Sequence, residues 1–158
     1  FDFVFAEGVI EHIGYAGDVS QPVPDWQNQR RQFCSELLRV TKPGGYILVA
    51  CPNRLFPIDF FHGGKVVHGF NLRFHSPRER FLLSFSDIKN LFPEEVAWMK
   101  PLSLKNFFNL QRLKSESRWM ALPIAAMDAL FGLLPPIFWR SALTPYVVVL
   151  VKRQPHGV

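Results

Sequence analysis

The stretch Glu36-Leu37-Leu38-Arg39-Val40-Thr41-Lys42-Pro43-Gly44-Gly45-Tyr46-Ile47-Leu48-Val49-Ala50-Cys51 decides the fold class. It passes from helical to extended chemistry within a few residues. Leu37 and Val40 continue an apolar series begun by Trp26 and Phe33 at i, i+7, i+11 and i+14, which is one helical face, with Gln29, Arg30, Arg31 and Glu36 largely off it. Asp25 is the expected N-cap, and Pro43-Gly44-Gly45 stops the helix because proline cannot continue it and glycine takes the left-handed turn. The unbroken run from Tyr46 to Cys51 then reads as a strand covered on both faces, since a strand with one wet face would alternate.

Working outward, Phe3-Val4-Phe5-Ala6 is an equally unbroken run and is expected to be a parallel strand buried on both faces. Strand, helix and strand make a βαβ crossover, so the class is α/β. After Cys51, the stretch Pro52-Asn53-Arg54-Leu55-Phe56-Pro57-Ile58-Asp59-Phe60-Phe61-His62-Gly63-Gly64 has the Pro, Gly and aromatic content of a loop. It leaves a strand at its carboxyl end, which is where ligands bind in open parallel sheets. Phe85 to Phe92 reads as a short helix capped by Ser86 and ended by Pro93, with Ile88, Leu91 and Phe92 turned inward. Strands are expected over Glu95 to Met99 and Tyr146 to Val151.

Between those strands, Trp119 to Trp139 is mostly apolar and of membrane-spanning length. Asp128 at its centre and prolines at 123, 135 and 136 argue against a span. Ile124, Met127, Leu130, Phe131 and Leu134 recur at helical spacing, which predicts a helix with one buried stripe, in the core or as a lid. Peripheral contact with a membrane is the alternative use of such a stripe.

The 158 residues are 48% hydrophobic and 20% charged, the balance of a single folded domain rather than a disordered segment. Sixteen Phe, four Trp and three Tyr require a core or ligand groove rich in flat rings. The net charge of +5 is unevenly placed: residues 1–50 carry four basic and six acidic groups, 51–99 six and five, 100–158 eight and two. The basic groups of the last third are scattered among apolar residues, so no nucleic-acid partner is expected. Cys34 and Cys51 lack the companions of a zinc site and fit a reduced, cytoplasmic setting.

Two motifs converge on one family. Phe1-Asp2-Phe3-Val4-Phe5-Ala6-Glu7-Gly8-Val9-Ile10-Glu11-His12-Ile13 resembles the fourth-strand motif of class I S-adenosylmethionine-dependent methyltransferases, and Glu36 to Val49 resembles that family's helix-to-fifth-strand junction. Pro52-Asn53-Arg54 follows at family spacing, and Val147 to Val151 before Lys152-Arg153 is similar to the closing strand. The resemblance implies a Rossmann-like methyltransferase sheet of which this chain is the C-terminal half, with a helical lid insertion before the last strand. Residues 1–54 would be the core βαβ unit, 55–145 the substrate loop and helical region, and 146–153 the final strand, antiparallel to the first two. The glycine-rich cofactor loop has no counterpart, for no G-x-G-x-G occurs among the ten glycines.

The implied cofactor is S-adenosylmethionine, with Ala6, Glu7 and Gly8 lining its methionine end. His12 is the candidate general base for a hydroxyl or phenol acceptor. Asn53, Arg54, Phe56, Asp59 and His62, joined by His75 of Phe74-His75-Ser76-Pro77, are the candidate acceptor contacts, a mix that grips a polar head and covers an apolar body. The partner is thus a small molecule, lipid-linked or aromatic. Some O-methyltransferases hold a divalent metal through E-x-x-E-H; Glu7 and Glu11-His12 are one residue too far apart for that pattern, and no metal is expected. A degenerate, non-catalytic binding or membrane-associated module is the competing function.

Overall fold

Parity along the central strands sets the two layers of the molecule. The computed structural model describes residues 1–16, 21–63, 65–67, 70–105, 126, 129–130 and 133–155, with backbone alone at 65–67 and 70–72. Strand β1 (Phe3–Glu7), helix α1 (Trp26–Val40) and strand β2 (Tyr46–Pro52) form the opening unit. A small antiparallel sheet follows, of β3 (Ile58–Asp59), β4 (Lys65–Val67) and β5 (Phe70–Phe74) in the order β3-β5-β4. Helix α2 (Phe85–Leu91), strand β6 (Val96–Pro101), a 3-10 helix (Pro136–Arg140) and strand β7 (Tyr146–Arg153) complete the described chain.

The main sheet is mixed, ordered β1-β2-β7-β6. β1 and β2 are parallel, from Phe3 opposite Tyr46 to Glu7 opposite Ala50, and β7 runs antiparallel to both β2 and β6. On one face Ile47, Val49 and Cys51 of β2 and Val147, Val149 and Val151 of β7 pack against Cys34, Leu37 and Leu38 of α1 and Phe85 and Ile88 of α2. On the other, Ala50, Tyr146 and Val148 meet Leu104 and Trp139. Side chains alternate across a strand, so the unbroken apolar runs of β2 and β7 are what two covered faces require. Each fully buried Val or Ile contributes about 1.5–3 kcal/mol.

Four local expectations are corrected. β1 is covered on one face only: Ala6 is buried, whereas Phe3 and Phe5 are 51% and 71% exposed, because among the described residues no layer packs on that face of the strand. The inward face of α1 is Arg30, Cys34, Leu37 and Leu38, so the helix is rotated from the stripe through Trp26 and Phe33. Asp25 sits at the N-cap with φ 66° but makes no side-chain cap; its carboxylate instead accepts from Asn28. Ser84, not Ser86, caps α2, because its extended backbone lets its Oγ accept from the Asp87 amide while the Asp87 carboxylate accepts from the Ser84 amide.

Gly45 explains how the turn into β2 closes. A Cβ there would stand 2.8 Å from the Lys42 carbonyl oxygen and 3.0 Å from that of Asp2, so only glycine allows the chain to fold back onto the start of β1. The expected apolar helix around Met127 to Leu134 lies largely outside the described residues. Positions 126, 129, 130 and 133 are helical, but Leu130 is 55% exposed rather than buried. Among the described residues no helix is long and apolar enough to cross a membrane.

Candidate active site

Because β1 and β2 are parallel, Glu7 and Pro52 end at the same edge, and the segments leaving them meet there. Gly8 makes the first turn with φ 63°, a conformation that favours glycine; space is open where a Cβ would stand, and its amide still donates to Ala50. The chain then crosses the sheet edge with Ile10 and Glu11 buried and His12 exposed.

A buried guanidinium fastens this segment. Arg30, only 2% exposed, donates from Nη2 to the carbonyls of Glu11 (2.6 Å) and Phe81 (2.8 Å), from Nε to Ile13 and from Nη1 to Arg80. The rings of Tyr15 and Trp26 lie 5.2 and 5.0 Å from its Cζ. One arginine thereby ties the turn after β1 to the segment before α2. Carbonyl dipoles and ring faces replace the water that the cation loses on burial.

The second segment is fastened by Asn53. Its amide donates to the carbonyls of Ser141 (2.9 Å) and Thr144 (2.8 Å), and its Oδ1 accepts from Leu55, so this 1%-exposed side chain anchors the approach to β7. The expectation of an acceptor contact at Asn53 is corrected: its hydrogen-bonding groups are already spent inside the fold. Arg54 likewise pairs with both oxygens of Asp87, at 2.8 and 3.1 Å, and with the Pro77 carbonyl, which ties it to α2. A groove of about 400 Å³ beside it carries Arg31, Arg78 and Arg80 with Glu79 and Asp87, apart from the two histidines described next.

Asp59 and His62 turn toward the edge itself. The buried Asp59 carboxylate accepts from the amides of Phe61 and His62, from His62 Nδ1 (2.9 Å) and from Arg73 Nε (3.1 Å), and Arg73 is held in turn by Glu79. Burial alone would raise the Asp59 pKa, but these donors outweigh it and hold the carboxyl below its ordinary value. His62 Nε2 stands 3.2 Å from His12 Nε2. Phe81, 1% exposed, sets the angle of both rings, with its centroid 5.3 Å from that of His12 and 4.9 Å from that of His62.

Glu11 completes the group. Ligand-type atoms of Glu11, His12 and His62 all lie within 4.8 Å of one another. Glu11 is fully buried, and neither carboxylate oxygen has a hydrogen-bond partner among the described residues. Desolvation raises its pKa, opposed by the dipole of its own backbone amide and by the nearby His62 and Arg30. His12 is shifted downward, first by desolvation and then by His62 and Arg30, which favours its neutral form.

The remaining expected residues scatter. Glu7 and Gly8 are exposed at the strand end, whereas Ala6 points its methyl into the core and presents only backbone. Phe56 stacks on Phe60 at 6.1 Å, and Phe61 meets Tyr146 at 5.4 Å. His75 faces the Ser76 carbonyl through Nδ1, and its buried Nε2 has no partner among the described residues. Arg30, Arg73 and Phe81 escaped sequence reasoning. Only Arg30 left a signal, since 30, 34, 37 and 38 fall on one helical face.

No protein-family model matches the chain, and no curated protein does. Its fold is weakly similar to that of the [4+2]-cyclase SpnF. The identity is 16% and the TM-score 0.33, over 99% of this chain and 52% of that one. The chain thus spans about half the length of that structure. A likeness at this level assigns neither an activity nor a substrate.

Proposed function

We propose that this chain supplies the acceptor site, and the methionine end of the cofactor site, for methyl transfer from S-adenosylmethionine to a hydroxyl on a small amphipathic molecule. The observation that carries it is the meeting of His12 and His62, from two different segments, at the carboxyl edge of two parallel strands. The paired motifs of β1 and of the α1-to-β2 junction support it, as does an antiparallel closing strand beside β2. Glu7 and the open turn at Gly8 fit the cofactor's cationic end, because Glu7 is an exposed acid and the space beside Gly8 is unfilled.

When bound, the cofactor supplies an electrophilic methyl group. The chain has to bring the acceptor oxygen within about 3 to 3.5 Å of it and take up a proton. The tautomers follow from the hydrogen bonds. An ionised Asp59 accepts His62 Nδ1–H, which leaves His62 Nε2 as an acceptor, so His12 Nε2 carries the shared proton and His12 Nδ1 is left with a free lone pair. A proton taken at His12 Nδ1 lets the Nε2 proton pass to His62, whose positive charge then rests beside Asp59. The half-buried Phe56 and Phe60 offer the acceptor an apolar cover.

The test is calorimetry with S-adenosylmethionine on the product of the complete reading frame, with transfer of labelled methyl to a panel of phenols and long-chain hydroxy acids. Binding in the micromolar range is expected, with His12→Ala lowering turnover by about 10² to 10⁴. The 158 residues alone should bind the cofactor weakly, since they carry no glycine-rich loop. A complete product that does not bind S-adenosylmethionine would overturn the assignment.

A further inference from the structure

We infer that Glu11, His12 and His62 form a binding site for a divalent transition metal of the zinc class, with Asp59 orienting one ligand from behind. The inference concerns these side chains alone and stands whether or not methyl transfer does.

The geometry comes from three places in the chain. Two imidazole nitrogens bound to one zinc at about 2.0–2.1 Å and a tetrahedral angle stand about 3.3 Å apart. His12 Nε2 and His62 Nε2 are 3.2 Å apart. The third ligand type is already at hand, since the Glu11 carboxylate lies within the same 4.8 Å group and needs only to close in by a side-chain rotation.

Two further observations point to a cation. Glu11 is fully buried with both oxygens unpartnered among the described residues, a costly state for a carboxylate unless something positive joins it. His62 donates Nδ1–H to a buried carboxylate that is itself held by Arg73, the arrangement that fixes the tautomer and ring angle of a metal-ligating histidine. His62 Nε2 is thereby left with its lone pair toward the site. His12 needs only to carry its proton on Nδ1 instead of Nε2.

Two histidines and one glutamate leave a fourth position open on the side of the exposed His12, where water or an acceptor hydroxyl fits. Such a nitrogen-and-carboxylate set favours zinc or a similar transition ion over calcium or magnesium, which take oxygen ligands. Metal and shared proton compete for the same two lone pairs. A metal-loaded chain therefore would not use His12 as its base.

Zinc titration by calorimetry at neutral pH, paired with the visible spectrum of the cobalt(II) form, tests the site on the 158-residue chain without any methyl acceptor. One metal per chain is expected, with a tetrahedral or five-coordinate cobalt spectrum. His62→Ala and the surface variant His12→Gln should each weaken binding at least about 100-fold, Glu11→Gln about 10-fold or more, and Asp59→Asn about 10- to 100-fold without being a ligand. Circular dichroism checks that each variant folds, and the exposed position of His12 keeps its variant informative if a buried one fails. No zinc binding, or binding that survives both His12→Gln and His62→Ala, overturns the site. Cofactor binding is read separately, so loss of either assignment leaves the other standing.

Discussion

Arg30 and Glu11 are both fully buried charged residues at the same edge of the sheet, yet their hydrogen bonding is opposite. Arg30 donates to four backbone carbonyls, one of them that of Glu11 itself. The Glu11 carboxylate, on the same residue whose carbonyl is held, has no partner among the described residues. The inner wall of the edge, built on Arg30 and Asn53, is a satisfied polar frame. The outer wall brings ligand-type atoms of Glu11, His12 and His62 within 4.8 Å of one another, with the two histidines hydrogen-bonded to each other and the Glu11 oxygens unpartnered among the described residues. Paired donors offset the cost of burying Arg30, whereas the unpartnered Glu11 oxygens leave that cost standing.

The comparison breaks most clearly at Arg30. Arg30→Leu should cost about 3–5 kcal/mol in urea unfolding, because four carbonyls lose a charged donor at once. A loss under about 1 kcal/mol would mean that the frame is not held there. Asn53→Ala comes next. It removes the amide that serves Ser141 and Thr144, with an expected loss of about 1.5–3 kcal/mol and no effect on zinc affinity beyond that of unfolding. A selective loss of metal or acceptor binding would instead return Asn53 to the site.

The Arg54 and Asp87 pair is smaller and depends on pH. Burial would raise the Asp87 pKa, but Arg54 and the Ser84 cap outweigh it, so the folded value lies below the unfolded one. The pair therefore stabilises the fold above about pH 4 and is lost as pH falls through the folded value. With Asp87 about one-third exposed, solvent screening leaves about 1 kcal/mol. Arg54→Ala should reduce that acid-side loss, read as the stability difference between pH 6 and pH 3. Glu11→Gln is the smallest change and the sharpest. Stability at neutral pH should stay the same or rise by up to about 1 kcal/mol, since an unpartnered buried charge is removed. A loss above about 2 kcal/mol would mean that Glu11 belongs to the frame.

Much of the architecture was legible in the chain. Unbroken apolar runs marked β2 and β7 because a strand covered on both faces has no place for a polar side chain, and Pro43-Gly44-Gly45 marked the helix end because those residues exclude helical backbone. β1 carried a run of the same kind but is exposed on one face, for a run cannot say whether a second layer covers it. Asn53 and Arg54 read as binding residues because polar side chains in a loop after a strand look alike whether they face a ligand or a carbonyl.

The sequence by itself determined the α/β class, the strands at β1, β2 and β7, and the helix end before β2. Those properties are local, written in side-chain periodicity and in glycine and proline. Only the tertiary structure decided that Arg30 turns inward, that Asn53 is an anchor, and that His12 meets His62 across fifty positions of chain. Which buried polar group finds a partner depends on what folding brings beside it, and neither spacing nor composition records that.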